Sequence, residues 1–202
     1  MQLQFKDPSL KVVVYCASSS HIDRIYVENA SRLGELLAQY NMECITGAGK
    51  QGLMGAINDA VLCNGGKATG IIPRFMVESG WCHAELNNLV ITDTMHMRKA
   101  KMAELSDAVI ALPGGIGTLE ELAEILTWKQ LGLYKKPIII LNTNNYYTPL
   151  LDFLEQMVNQ NFMHATYATM WTVVSTPEEA IAQLKNFSEW SPRITKYDKK
   201  EL

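Results

Sequence analysis

The chain has 202 residues, 48% hydrophobic and 19% charged, with a formal net charge of -3. That size suits one domain over 1–202. The mildly acidic balance argues against a general nucleic-acid binder, whose surface is basic, and no apolar run approaches the ~20 residues that cross a bilayer.

In chain order, the apolar run from Lys11 to Cys16 reads as a first buried strand, and Asp23 to Gln39 repeats apolar residues at helical spacing. Met42 to Thr46 is a second strand, followed by the glycine-rich Gly47-Ala48-Gly49-Lys50-Gln51-Gly52 and a helix from Leu53 to Leu62. Asn64-Gly65-Gly66 stops that helix, and Lys67 to Ile72 is a third strand. Pro73 to Glu85 has little periodicity and reads as a loop or short helix. Leu89 to Thr92 is a strand, Thr94 to Leu105 a helix, and Ala108 to Leu112 a strand that runs into Pro113-Gly114-Gly115-Ile116-Gly117-Thr118. A helix over Leu119 to Leu131, a strand over Pro137 to Leu141, a helix over Leu150 to Gln160 and a short strand over Trp171 to Val174 follow. The last helix, Pro177 to Phe187, carries proline at its start, and the polar stretch 188–202 reads as a tail. Alternation of strands and helices, with continuously apolar strands, predicts an α/β fold. Its sheet is doubly wound and mostly parallel, with Rossmann-like topology and helices on both faces. Ligands bind such sheets at the carboxyl ends of the strands, where both glycine loops fall.

The first glycine loop matches GxGxxG but follows the second strand, and no carboxylate stands about 20 residues on to hold a ribose hydroxyl. Nor is it a P-loop, because Gln51 follows Lys50. It is either a tight turn or one wall of a mononucleotide pocket. The second loop has three glycines between a buried strand and a helix start, which lets backbone N–H groups approach an anion closely. Thr118-Leu119-Glu120-Glu121 is also a capping box, in which Glu121 would reach back to the Thr118 N–H. Arg98, Lys99 and Lys101 crowd a helix start, where cations oppose the helix dipole. An anionic ligand or a facing carboxylate would offset this, and a solvated face is the alternative for Lys99 and Lys101. His83 and His96 have no partners at metal spacing. Cys16, Cys44, Cys63 and Cys82 show no CxxC pair, and Met1 to Asp7 lacks an export signal. Both observations point to a cytoplasmic protein with reduced, mostly buried thiols.

Four segments together resemble the LOG ("lonely guy") family, often labelled lysine decarboxylases. They are Cys16-Ala17-Ser18-Ser19, Gly47-Ala48-Gly49 with Gly52-Leu53-Met54-Gly55, Met95-His96-Met97-Arg98-Lys99, and Pro113 through Glu121. The likeness spans Lys11 to Phe187. Ala48 stands where a third glycine is usual, a departure that would narrow the pocket. The resemblance implies a phosphoribohydrolase that splits a cytokinin riboside 5'-monophosphate, or AMP, into free base and ribose 5-phosphate. It needs no metal or organic cofactor and works as a homodimer or larger homo-oligomer. Carried over, Arg98 and Glu121 are the catalytic pair. Glu78, Lys99, Gly114, Gly115, Ile116, Gly117, Thr118, Leu119, Glu120 and Thr127 contact substrate, with Ser18, Gly49, Gly52 and Met54 of the matching segments beside them.

The chemistry agrees with that carry-over. Glycosidic cleavage builds positive charge on the ribose, which a carboxylate from Glu121 would stabilise while activating water. Arg98 does not release a proton at neutral pH, so its work is to hold phosphate or the departing base by charge-assisted hydrogen bonds. A pyridoxal phosphate decarboxylase would need a Schiff-base lysine and a partner for the pyridine nitrogen, and no lysine here has that context. The rival reading is a protein that senses or carries a nucleotide without cleaving it. A purely structural protein would not need two glycine loops at the ligand edge.

Overall fold

The computed structural model describes residues 9–186. The strands are β1 (Lys11–Tyr15), β2 (Glu43–Thr46), β3 (Ala68–Pro73), β4 (Asn88–Thr92), β5 (Ala108–Ala111), β6 (Ile138–Leu141) and β7 (Thr172–Val174). They form one sheet in the order β4-β3-β2-β1-β5-β6-β7, and every pairing is parallel. The helices are α1 (Arg24–Gln39), α2 (Gly52–Cys63), α3 (Arg74–Glu78), α4 (Met95–Leu105), α5 (Ile116–Gln130), α6 (Thr148–Asn159) and α7 (Pro177–Lys185). The expected doubly wound α/β architecture is therefore present, with a wholly parallel sheet. The tail over 188–202 lies outside the described residues.

Side chains alternate across the strands, so β1, β2, β3, β5 and β6 each feed two cores. Val12 and Val14 of β1 pack with α1, α2 and α7, through residues such as Leu33, Leu37, Ile57 and Ile181. Val13 and Tyr15 face the other way, onto Met102 of α4, Leu122 and Ile125 of α5, and Leu150 of α6. Helix starts are set by short polar caps. Asp23 accepts from the Ile25 N–H, Thr94 from Met97 and Thr176 from Glu179.

The chain builds outward from β1 to β4, then returns to the other side of β1 for β5. The direction of winding thus reverses between β1 and β5, and a crevice opens above their carboxyl ends. The loops leaving both strands meet there, where the Ala17 N–H donates to the Pro113 carbonyl (3.2 Å).

One fully buried cation sits far from that crevice in the sequence of α5. Lys129 is 2% exposed, and its Nζ donates to the Lys136 carbonyl at 2.6 Å. Burial draws its pKa down to about 8. From pH 8 to the ordinary lysine value of about 10.4, the unfolded chain binds a proton that the folded chain has released. Folding stability carried by Lys129 therefore rises with pH across that window, by about 1.4 kcal/mol per unit. Urea titrations at pH 7, 8, 9 and 10 should show this rise as the difference between the wild type and Lys129→Met. Parallel pH profiles would contradict it.

Candidate active site

α5 begins at Ile116, with Gly115 as its N-cap in extended conformation. This is three residues earlier than the sequence pattern suggests, so Gly117 and Thr118 belong to the first turn. The capping box is thereby excluded, because Thr118 is inside the helix and Glu121 does not return to it. Thr118 is buried and folds onto Gly114, where an added Cβ would lie 2.1 Å from the Thr118 hydroxyl. The free N–H groups of this first turn stand at the crevice with the positive end of the helix dipole. Two tyrosines beyond β6 hold the loop from behind. Tyr146 donates its hydroxyl to the Gly114 carbonyl (2.7 Å) and Tyr147 to the Leu112 carbonyl (2.6 Å). The Tyr146 ring is braced edge-on against Tyr26 and Tyr147.

Arg98 and Glu121 meet in the crevice. Arg98 Nη1 donates to Glu121 Oε1 at 2.8 Å, and Arg98 Nε donates to the Ile71 carbonyl in the carboxyl half of β3 (3.0 Å). Their side chains are 8% and 11% exposed. Burial raises the Glu121 pKa, and the Arg98 charge and hydrogen bond pull it back without cancelling that rise. Lys99 is also buried and is bound by Glu120 and by Glu124 at 3.1 Å. Burial disfavours its charge, yet the two carboxylates hold its pKa above the ordinary value. The cations at the start of α4 are thus answered by carboxylates of α5. Lys101, by contrast, is on the surface with Glu104, as a solvated face requires.

The first glycine loop supplies the opposite wall. A Cβ on Gly47 would fall 1.8 Å from Arg98 Nη2, so only glycine leaves the guanidinium its place. Gly52 adopts a φ of +61° and lies against the Ala17–Ser19 backbone, where any Cβ would collide at 2.5 Å. Two of the first N–H groups of α2 are consumed there, since Leu53 and Met54 both donate to the Ala17 carbonyl (3.0 and 3.3 Å). This helix start therefore has fewer N–H groups left for an anion than the start of α5. Ala48 is buried with a φ of +62°. Its Cβ would come within 2.5 Å of a Cβ at Gly70 and does not line the cavity, so the pocket is not narrowed by it.

The crevice encloses a cavity of about 780 Å³. Its polar lining includes Ser18, Arg98, Thr118, Glu120 and Glu121, and its apolar lining includes Met54, Ile72, Met76, Trp81 and Met95. Among the described residues, no group of three His, Cys, Asp or Glu side chains is placed to hold a metal ion. No helix among them is long and apolar enough to cross a membrane.

The family model described as "Possible lysine decarboxylase" matches residues 54–184. A probable cytokinin riboside 5'-monophosphate phosphoribohydrolase of Oryza sativa subsp. japonica is 37% identical over 192 residues, covering 95% of this chain and 79% of its own. The cytokinin riboside 5'-monophosphate phosphoribohydrolase of Rhodococcoides fascians is 39% identical over 176 residues, covering 87% and 89%. The chain belongs to the LOG family. Solved structures agree on the fold. A molybdenum cofactor binding protein of Rippkaea orientalis superposes with a TM-score of 0.64 at 23% identity, covering 90% of this chain and 98% of that one.

Within this LOG-family chain, the cavity gathers most of the residues expected at the substrate. Ser18, Gly49, Met54, Arg98, Gly115, Ile116, Gly117, Thr118, Glu120 and Glu121 all line it. Gly52, Lys99 and Gly114 stand one layer behind, shaping the wall through the contacts described above. Glu78, Leu119 and Thr127 are outside the lining. Glu78 ends α3 with its side chain exposed, Leu119 faces outward on α5, and Thr127 is exposed with its hydroxyl on the Ala123 carbonyl. Met76 and Trp81 line the cavity without having been singled out in the sequence, and Met95, which opens one of the matching segments, joins them. The cysteines are all free. Cys16 and Cys44 are buried, Cys82 is half-buried and Cys63 is exposed, so only two of the four match the expectation of buried thiols. His83 is tied to Asp59 (2.9 Å) and serves structure.

Replacing Gly47 by Ala should displace the Arg98 guanidinium, because the new methyl occupies the site of Nη2. Loss of at least 100-fold in kcat/KM is expected, since an ångström of misplacement costs about that much. An unaltered kcat/KM would show that Arg98 can move without consequence. Tyr146→Phe removes one support of the second loop, and a several-fold rise in KM is expected, with kcat changed less.

Proposed function

We propose that this chain hydrolyses the N-glycosidic bond of a purine nucleoside 5'-monophosphate, releasing the base and ribose 5-phosphate. The coarser activity, nucleotide phosphoribohydrolysis, follows the names of its LOG relatives. The finer assignment, to a cytokinin riboside 5'-monophosphate or AMP, is our own. One observation carries the hydrolytic reading, the buried Arg98–Glu121 pair in the same cavity as the free N–H groups of α5.

The parts divide the work as follows. The N–H groups at Gly115 to Thr118 take the phosphate, helped by the helix dipole. As the C1'–N9 bond breaks, positive charge grows on the ribose, and the Glu121 carboxylate stabilises it. Water adds to C1' and gives a proton to Glu121, while the departing purine nitrogen takes up a proton from solvent or a bound water. Arg98 holds Glu121 in place through Nη1, and its Nη2 remains for the phosphate or the base. The pairing also explains why two carboxylates stand beside an anion site. Lys99 neutralises Glu120, and Arg98 neutralises Glu121, before any phosphate arrives. The exposed apolar side chains of Phe75, Leu89, Ile91 and Met97 support a homodimer, which size-exclusion chromatography would test.

Purified protein incubated with AMP, and separately with N6-isopentenyl-AMP, should release free base and ribose 5-phosphate. The ratio of kcat/KM values would name the preferred base. Nucleotide-dependent thermal stabilisation without either product would overturn the reading in favour of a carrier or sensor.

A further inference from the structure

Trp81 lines the cavity and yet is 55% exposed. Unlike most of the other exposed apolar side chains, it stands on a concave wall, and a half-exposed aromatic ring in that position suits a flat ligand. Its backbone is held from both sides. The Trp81 N–H donates to the Met76 carbonyl (3.1 Å), closing the turn in which Gly80 adopts a φ of +71°. The Trp81 carbonyl accepts from the Lys50 N–H (3.2 Å), and the next residue, Cys82, pairs with Gly49 in an isolated antiparallel bridge. One step further, the His83 N–H donates to the Ala48 carbonyl (2.8 Å), and His83 is itself clamped to Asp59. The segment bearing the indole is thus fastened onto the first glycine loop, so little backbone order remains to be won on binding.

The neighbours of Trp81 in the cavity are chemically distinct from those supplied by α5. α5 brings free N–H groups, Thr118, Glu120 and Glu121, with Ile116 at the mouth. α2, α3 and the start of α4 bring Met54, Met76 and Met95, and β3 brings Ile72. Thioethers adapt to irregular apolar shapes and sit well against aromatic rings. A nucleoside monophosphate has the same division, a dianion at one end and a flat aromatic base at the other. With phosphate on α5 and Glu121 at C1', the base extends to the thioether wall.

Resting on the function proposed above, we propose that Trp81 is the residue that sets affinity for the base, by stacking its indole on the purine. Stacking of this kind tolerates substituents on the ring edge, so it selects a purine without choosing between adenine and its N6-modified forms. It acts equally before and during bond cleavage, so it governs KM rather than kcat.

The test compares wild type, Trp81→Ala and Trp81→Phe on AMP, with ribose 5-phosphate and adenine as product inhibitors. Trp81→Ala should raise KM roughly 10- to 100-fold, leave kcat within a few-fold, and abolish inhibition by adenine. Trp81→Phe should restore KM to within a few-fold of wild type. Inhibition by ribose 5-phosphate, which carries no base, should be unchanged in both variants. An unchanged KM in Trp81→Ala would overturn the assignment, as would a parallel loss of ribose 5-phosphate affinity, which would mark collapse of the cavity. An unchanged KM with a shift from dimer to monomer on size exclusion would make Trp81 an interface residue instead. Should wild type cleave neither nucleotide, the hydrolase reading fails by itself. Stacking is then judged by quenching of tryptophan fluorescence on adding AMP, expected in wild type and absent in Trp81→Phe.

Discussion

Glu121→Gln is expected to lower kcat on a purine nucleoside 5'-monophosphate by about 10³-fold or more, with the chain still folded. Glutamine keeps the shape of the side chain and an oxygen for Arg98 Nη1, but it carries no charge for the developing oxocarbenium ion and cannot take a proton from water. The hydrogen bond to Arg98 passes from a charged to a neutral acceptor, a loss on the order of 1–2 kcal/mol. A chain of this size then loses a few degrees of Tm. Single-turnover kinetics and thermal unfolding of the same preparation separate the two effects. Full activity with a lowered Tm would make Glu121 a structural partner of Arg98 and remove it from the chemistry.

The pH dependence has a definite sign. Burial holds the Glu121 pKa above its ordinary value, with Arg98 opposing. Activity that needs the carboxylate therefore rises with pH through a midpoint above about 4.3, the value for a solvated glutamate. For stability the sign is reversed. The folded chain binds the Glu121 proton more tightly than the unfolded chain, so this group's contribution falls as pH rises from about 4.3 through the folded pKa. Both slopes should vanish in Glu121→Gln, and an acid limb that persisted in residual activity would belong to another group.

Periodicity and composition made nearly every strand and helix legible, because parallel strands buried on both faces read as short apolar runs. The start of α5 was not legible. Thr118-Leu119-Glu120-Glu121 satisfies the capping pattern locally, but Gly115 caps the helix three residues earlier, and Glu121 finds a stronger partner in a buried guanidinium. The burial of Lys99 escaped for a related reason. Its carboxylate partners lie on another helix, and a charge run beside a helix start looks the same whether it meets water or Glu120 and Glu124. Trp81 was hidden in a segment without periodicity, where a lone aromatic beside Gly80 was the one available sign. Tyr146 supports Gly114 across 32 residues of sequence, a contact that only the return of the chain beyond β6 creates. Residues on one element were thus within reach of pattern, whereas of those joined across elements only the Arg98–Glu121 pair was foreseen, and that through the family resemblance.

Arg98→Met should destabilise the fold by about 3–5 kcal/mol at neutral pH, as well as abolish activity. The mechanism is the charge left behind. Glu121 stays buried while its cationic partner is replaced by an apolar chain, and the Ile71 carbonyl also loses its donor. At ~2–4 °C per kcal/mol, Tm falls by on the order of 10 °C. Acidification should then restore part of the loss in this variant alone. Without Arg98 to lower it, the Glu121 pKa rises further, so the neutral acid forms at milder pH and removes the buried charge. The double variant Arg98→Met with Glu121→Gln should for the same reason be more stable at neutral pH than Arg98→Met by itself. Thermal unfolding of the four proteins at pH 5 and pH 7 completes the cycle. Strictly additive losses with no pH difference would mean that the two groups are not coupled. Arg98 would then hold the carboxyl half of β3 through Ile71 alone, and Glu121 would owe its position to packing.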